Sequence, residues 1–129
     1  MSEKPVGLTK DVGFEAGARK TFGIDGERLW RFVVSARAQA ILGQADEGLE
    51  AESPGVTTFV EGSHYRRRGV GPSGRMSVLQ VRVISGKDGK AAIALHAEKL
   101  ASTQEREQTL ERFKTALQSF AEALSENEK

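Results

Sequence analysis

Alternation of apolar and polar residues marks several strands in this chain. Residues 14–22 place phenylalanine and alanine at every second position with charged residues between them, as a strand with one buried face requires. The same alternation recurs over residues 76–84 and 91–97, and the GKDG segment between these two runs favours a tight turn. The pattern therefore predicts one N-terminal strand and a later β-hairpin.

Two further strands are predicted in the middle of the chain. Residues 56–60 are β-branched and aromatic and are bounded by turn residues, and residues 64–68 follow after a short gap. The polar, turn-rich segment before them predicts a surface connection with one short strand near residues 49–52. Residues 69–74 contain three glycines and a proline, which predicts a loop.

Helical spacing of apolar residues predicts two short helices and one long one. Asp25 is a suitable N-cap for a helix from Glu27 onward, and a second helix is predicted over residues 35–42 with Gly43 as its stop signal. Ser102 to Glu105 matches a capping box, in which the glutamate returns to the serine amide. The helix that follows carries one apolar stripe, which we expect to pack on the sheet of this chain rather than in a coiled coil. The stripe consists of Leu110, Phe113, Leu117, Phe120 and Leu124.

The order of a strand, two short helices, a run of antiparallel strands and a long terminal helix is that of the α+β helix-grip fold, a curved antiparallel sheet wrapped around the C-terminal helix. The segments LTKDVGFEAGARKTFGIDGERLWRFVVS, GSHYR and SVLQVRVI resemble the START-like (SRPBCC) superfamily, in its branch similar to activators of the heat-shock-protein-90 ATPase. The resemblance covers nearly the whole chain. It implies a single START-like domain over residues 13–125. The polar residues 1–12 predict an N-terminal extension, and we expect a flexible tail over 126–129.

Composition excludes several classes of function. The 129 residues contain no cysteine and two separate histidines, so we expect no metal site, no thiol chemistry and no cofactor. The formal charge of +1 provides no overall attraction to nucleic acid or to an anionic membrane. We find no signal peptide and no apolar run of membrane-spanning length, and we therefore expect a cytoplasmic protein, either a monomer or a homodimer.

The resemblance implies a cavity between the sheet and the long helix that takes a small apolar or amphipathic ligand. It also implies a possible partner protein, with a chaperone as the family suggestion. The alternative is that the same side chains fill the space as ordinary core. The candidate wall residues are Trp30, Phe59, Tyr65, Arg67, Leu79, Val81, Leu95, Phe113 and Leu117.

Three consecutive arginines form the strongest charge feature. On a strand Arg66 and Arg68 share one face and Arg67 takes the other, so one face brings an arginine to the concave side, where it can pair with a carboxylate or phosphate. The alternative is a basic, solvated edge strand; nucleic-acid binding has little support. Related sequences often have aromatic residues here, so the arginine strand and the glycine loop of residues 69–74 are where we expect specificity to differ.

An enzyme is the second hypothesis. A small cavity enzyme of the polyketide cyclase or aromatase type would place His64, Tyr65, Arg67 or His96 inside the cavity. Inward-facing polar groups around an open pocket would favour it. We prefer a non-catalytic binding domain, because the sequence contains no convergent set of catalytic residues.

Overall fold

The computed structural model describes residues 8–9, 13–43, 48–70 and 76–127. Six strands and three helices lie within these ranges. In chain order they are β1 (Leu8–Thr9), β2 (Gly13–Phe22), α1 (Gly26–Val33), α2 (Ala36–Ile41), β3 (Val56–Val60), β4 (His64–Val70), β5 (Met76–Ser85), β6 (Ala91–Leu100) and α3 (Thr103–Asn127).

All six strands belong to one antiparallel sheet in the order β1-β2-β6-β5-β4-β3. Helix α3 packs mainly on β2 and also on β6, α1 packs on β5 and β6, and α2 contacts both α1 and α3. The long terminal helix therefore lies against the sheet of its own chain. These features confirm the predicted α+β fold with a curved antiparallel sheet, two short helices after the first long strand and a long C-terminal helix.

Side-chain caps fix the start of each helix. Asp25 Oδ1 accepts from the Arg28 amide at 2.9 Å and Ser35 Oγ accepts from the Ala38 amide at 3.3 Å, which satisfies amides that the first turn leaves without a partner. Ser102 Oγ accepts from the Glu105 amide at 3.1 Å as predicted. The Glu105 carboxylate accepts from the amide of Ala101, one residue before the serine that the capping box predicts.

The core lies between the sheet and the helices. Its largest fully buried side chains come from α1, α3 and strands β4, β5 and β6, together with one polar residue of α2; they are Tyr65, Phe120, Leu29, Ile93, Leu95, Gln39, Val33 and Val81. Phe32 meets Phe120 edge to face with ring centroids 5.3 Å apart, so α1 packs against the C-terminal half of α3.

Three local predictions are wrong. No strand forms at residues 49–52; Leu49 is buried instead, and its amide donates to the Val34 carbonyl at 2.7 Å. The arginine-rich strand β4 is not an edge strand, because it lies between β3 and β5. It also continues through Gly69 and Val70, which were predicted as loop, while residues 71–74 lie outside the described ranges.

A β-bulge interrupts the pairing of β2 with β6. Phe14 pairs with Leu100 and Ala16 with Ala97, so one residue of β2 faces two residues of β6. Lys99, in the bulge, has φ of 62°, a left-handed conformation that is uncommon for residues other than glycine. In the described part of the chain, no helix is both long and apolar enough to cross a membrane.

Candidate ligand-binding cleft

A cleft of about 420 Å³ lies between α3, the C-terminal end of α2 and strands β4, β5 and β6. This volume is in the range of small-molecule sites. Its lining consists of Ile41, Leu42, Gly43, Gly69, Ser77, Leu79, Ala97, Leu100, Thr109, Glu111, Arg112, Phe113, Thr115, Ala116 and Ser119. The deeper wall is apolar, and the exposed residues Gly43, Glu111 and Arg112 form the mouth.

Helix α3 presents two adjacent rows of residues to this cleft. Thr109, Phe113 and Ala116 are buried at spacings of four and three, and they form the inner row. Arg112, Thr115 and Ser119, at spacings of three and four, form an outer row nearer to solvent. The helix therefore offers the cleft an apolar inner surface and a polar margin.

Several small residues in the lining leave room for the cleft. Gly69, on the concave face of β4, has no atom within 4 Å of the position where a Cβ would stand, and its φ is not in the left-handed region. Gly69 pairs with Ser77 on β5, and Ala97 and Ala116 line the cleft nearby. Larger residues at these positions would occupy the volume.

Two of the nine predicted wall residues, Leu79 and Phe113, line this cleft. Five others lie elsewhere in the hydrophobic core. Trp30 meets Phe59 edge to face with ring centroids 5.6 Å apart and an interplanar angle of 68°. Val81, Leu95 and Leu117 are at most 4% exposed and are packed in the same core.

The remaining two, Tyr65 and Arg67, join a polar network with Gln39 behind the cleft. Gln39 Nε2 donates to the Val33 carbonyl at 3.0 Å and to Tyr65 Oη at 3.2 Å, while Gln39 Oε1 accepts from Arg67 Nη1 at 3.3 Å. Arg67 Nη2 donates to the Pro54 carbonyl at 3.0 Å. The Arg67 guanidinium thus ties α2 to the segment before β3 and does not line the cleft.

Burial raises the pKa of Tyr65 to about 12, against smaller lowering effects from the Gln39 hydrogen bond and the Arg67 charge. The phenol is therefore neutral at physiological pH and enclosed by protein. It has a structural role in this network, because an acid or base must reach its substrate.

Both histidines lie on the outer face of the sheet. His96 lies between two carboxylates, with Nε2 3.3 Å from Glu15 Oε1 and Nδ1 3.7 Å from Glu98 Oε1. Arg66 Nη2 is 2.9 Å from Glu98 Oε2. The predicted division of the arginines between the two faces is confirmed, since Arg66 points outward and Arg67 inward.

Glu15, His96 and Glu98 bring one possible metal-ligand atom each to within 4.8 Å of one another. A histidine with two carboxylates is a donor set that divalent transition metals accept. Here the ring nitrogens face different carboxylates and Arg66 is paired with Glu98, so the group is a charge network as it stands. The sequence predicts that His96 stands alone. The β-bulge that brings Glu15 and Glu98 to it leaves no recognisable pattern in the sequence.

His64, also on the outer face, has its ring Nδ1 2.8 Å from Ser63 Oγ. Burial lowers the pKa of His64, and the charges of Arg82 and Arg66 lower it further. The lowered pKa favours the neutral imidazole. Neither histidine is among the described residues that line the cleft.

A second groove of about 480 Å³ lies between α1, the start of α2 and the end of α3. Its floor includes Ile24 and Phe32, and arginines border it. Arg31 is paired with Glu27 at 2.6 Å and Arg37 with Glu126 at 2.5 Å. This groove does not lie between the sheet and the long helix, where the fold is expected to hold a ligand.

The architecture and the cleft together define an α+β protein with an antiparallel sheet and a C-terminal helix, compatible with the helix-grip fold. One solved structure with this architecture is the solution structure of ChR145 from Cytophaga hutchinsonii, a structural genomics target. It is similar with a TM-score of 0.68 and 13% sequence identity, over 91% of this chain and 97% of that chain. At this identity the likeness shows the fold alone. No protein-family model and no curated protein sequence matches the chain.

Proposed function

We propose that this protein is a non-catalytic binding domain that takes a small apolar or amphipathic ligand in the cleft beside α3. The observation that carries the proposal is an open space of about 420 Å³ with apolar walls and a polar mouth. Binding sites for small molecules combine such walls with a few polar groups that orient the ligand. Leu79, Leu100 and Phe113 supply the apolar contact.

We also propose that the chain is a START-like (SRPBCC) domain, of the branch similar to activators of the heat-shock-protein-90 ATPase. The resemblance of its segments and the helix-grip architecture support this assignment. The chaperone association is tested by titrating the purified protein into the heat-shock-protein-90 homologue of its host. Absence of binding at micromolar concentrations would remove that part of the proposal.

The cyclase or aromatase alternative receives less support. Its four candidate groups were His64, Tyr65, Arg67 and His96, and none of these is among the described residues that border the cleft. The hydroxyl residues that do border it, such as Ser77 and Ser119, have no histidine or other base beside them in the described lining.

Gly69→Leu tests the binding proposal directly. Gly69 lines the cleft and a Cβ built there meets nothing within 4 Å among the described residues, so the new side chain should enter the cleft. The variant should therefore fold normally and lose ligand affinity at least tenfold. The matched control is Gly23→Leu, at another glycine with nothing within 4 Å of a built Cβ and no left-handed φ, which lies outside the cleft. The measurement is native mass spectrometry and thermal shift with a panel of fatty acids, alcohols and aromatic acids.

Equal binding by the Gly69→Leu and Gly23→Leu variants would place the ligand elsewhere. A wild-type protein that binds no member of the panel would refute a binding role for the cleft. Circular dichroism of both variants separates loss of affinity from loss of fold.

A further inference from the structure

Arg112 places a cation at the edge of an apolar space. It is exposed on the outer row of α3, and its Nη2 lies 4.0 Å from the position of a Cβ built on Gly43, across the mouth. Within the described ranges, Arg112 takes part in no hydrogen bond or ion pair. It is also the one arginine among the described residues that line the cleft.

Three other arginines on the helices are engaged, whereas Arg28 on α1, like Arg112, has no side-chain partner within the described ranges. Arg31 and Arg37 are paired with Glu27 and Glu126, and Arg106 Nε donates to the Glu15 carbonyl at 2.9 Å. A guanidinium presents several donors in a planar fork that matches a carboxylate. No group of the described residues occupies that fork at Arg112.

The other polar groups at the mouth are suited to a ligand that carries one negative charge. Thr115 and Ser119 continue the row of Arg112 along the helix. Glu111 also borders the cleft, and its carboxylate lies 3.7 Å from Lys114 Nζ, which offsets its charge along the exposed side of the helix. Among the described residues, the mouth therefore has one positive charge that no carboxylate compensates, beside hydroxyl groups.

We propose that the ligand of the cleft is an amphipathic carboxylic acid, with its apolar body against Leu79, Leu100 and Phe113 and its carboxylate on Arg112. This inference rests on the proposed binding function and specifies the chemical class of its ligand. A neutral apolar molecule would leave the guanidinium unused, whereas a carboxylate can take two parallel hydrogen bonds from it. A single guanidinium matches a monoanion in charge.

Decanoate and decanol test the assignment, because they share the same chain and differ in head group. Isothermal titration calorimetry at neutral pH, low ionic strength and concentrations below micelle formation should show decanoate binding more tightly. Arg112→Gln should weaken decanoate binding about fivefold, as expected for one partly exposed ion pair, and leave decanol binding unchanged. Arg112→Lys, which keeps the charge and loses the fork, should fall between wild type and Arg112→Gln.

Arg28→Gln is the matched control. Arg28 borders the second groove, and its side chain has no partner within the described ranges, so the variant removes the same charge away from the cleft. It should change neither affinity. A larger effect of Arg28→Gln than of Arg112→Gln on decanoate would overturn the inference and assign the anion to the other groove.

The failure of this inference is distinguishable from failure of the binding function. If decanol binds as tightly as decanoate and Arg112→Gln changes neither affinity, the cleft binds ligands and the carboxylate assignment is wrong. If neither compound binds the wild-type protein, both proposals are wrong. Equal losses for decanoate and decanol in Arg112→Gln would mean that the side chain shapes the cleft and does not recognise charge.

Discussion

Gln39 shows how one buried polar residue can organise its surroundings. It is 1% exposed on the six-residue helix α2, and it joins Val33, Tyr65 and Arg67 through its amide group. A buried amide is tolerated when its donors and acceptor find partners. The network fixes α2 against β4, and the end of α2 in turn forms one side of the cleft.

Tyr65 gives a residue-scale prediction, since it is the one tyrosine in the sequence. Its pKa is raised from 10.0 to about 12, so phenolate absorbance of the native protein should titrate near pH 12. Between pH 10 and about pH 12, the Tyr65 phenol loses its proton in the unfolded chain but keeps it in the folded chain. The free energy of unfolding should therefore fall as pH rises through this range. In denaturant, the midpoint of the Tyr65 phenol titration should return to about pH 10. A native midpoint near 10 would show that the phenol is solvated.

The β-bulge is the clearest departure from regular structure among the elements. It places Glu15 opposite both Glu98 and Lys99, and His96 then lies between the two glutamates. Bulges commonly redirect side chains in this manner. The local cost is a lysine with φ of 62°, a conformation that glycine adopts without steric penalty.

Lys99→Gly should therefore raise the free energy of unfolding by about 0.5–1 kcal/mol. The steric strain removed at positive φ is larger than the cost of the greater backbone entropy that glycine gives the unfolded chain. Lys20→Gly is the control within a strand. Lys20 is also exposed, but it lies in the interior of β2 and has no left-handed φ, so glycine should cost about 0.5–1 kcal/mol there. Urea denaturation measures both changes. Destabilisation of the same size in both variants would contradict the left-handed conformation at Lys99.

At the scale of the whole molecule, one helix serves both the core and the cleft. Leu117 is 4% exposed within the core, whereas Ser119, two residues later, lines the cleft. The two functions are therefore on neighbouring faces of α3. Substitutions along α3 should separate stability from ligand affinity.

Leu117→Ala should lower the free energy of unfolding by about 2–5 kcal/mol, because it leaves a cavity among packed side chains. Ser119→Ala should change it by no more than about 0.5 kcal/mol. Chemical denaturation of the two variants compares these values. Similar small losses in both would indicate that Leu117 is not part of a close-packed core.

The architecture was predictable because each element has a periodic pattern. The stripe from Leu110 to Leu124 predicted the long helix and its buried face, and alternation predicted β2, β5 and β6. The cleft was predictable only at Leu79 and Phe113, because large apolar residues are the walls that the sequence predicts and most of them pack in the core. An unfilled space depends on small residues from several elements, such as Gly69, Ala97 and Ala116, and no single segment contains that information.

The open backbone position at Gly69 has a consequence for how this protein can change over evolution. A single mutation there adds a side chain into free space, so it can narrow the cleft without disturbing the packed side chains that hold the sheet and helix together. Relatives that differ at Gly69, Ser77 or Ala116 can therefore share one scaffold and select ligands of different size. Ligand preference can then diverge faster than the fold.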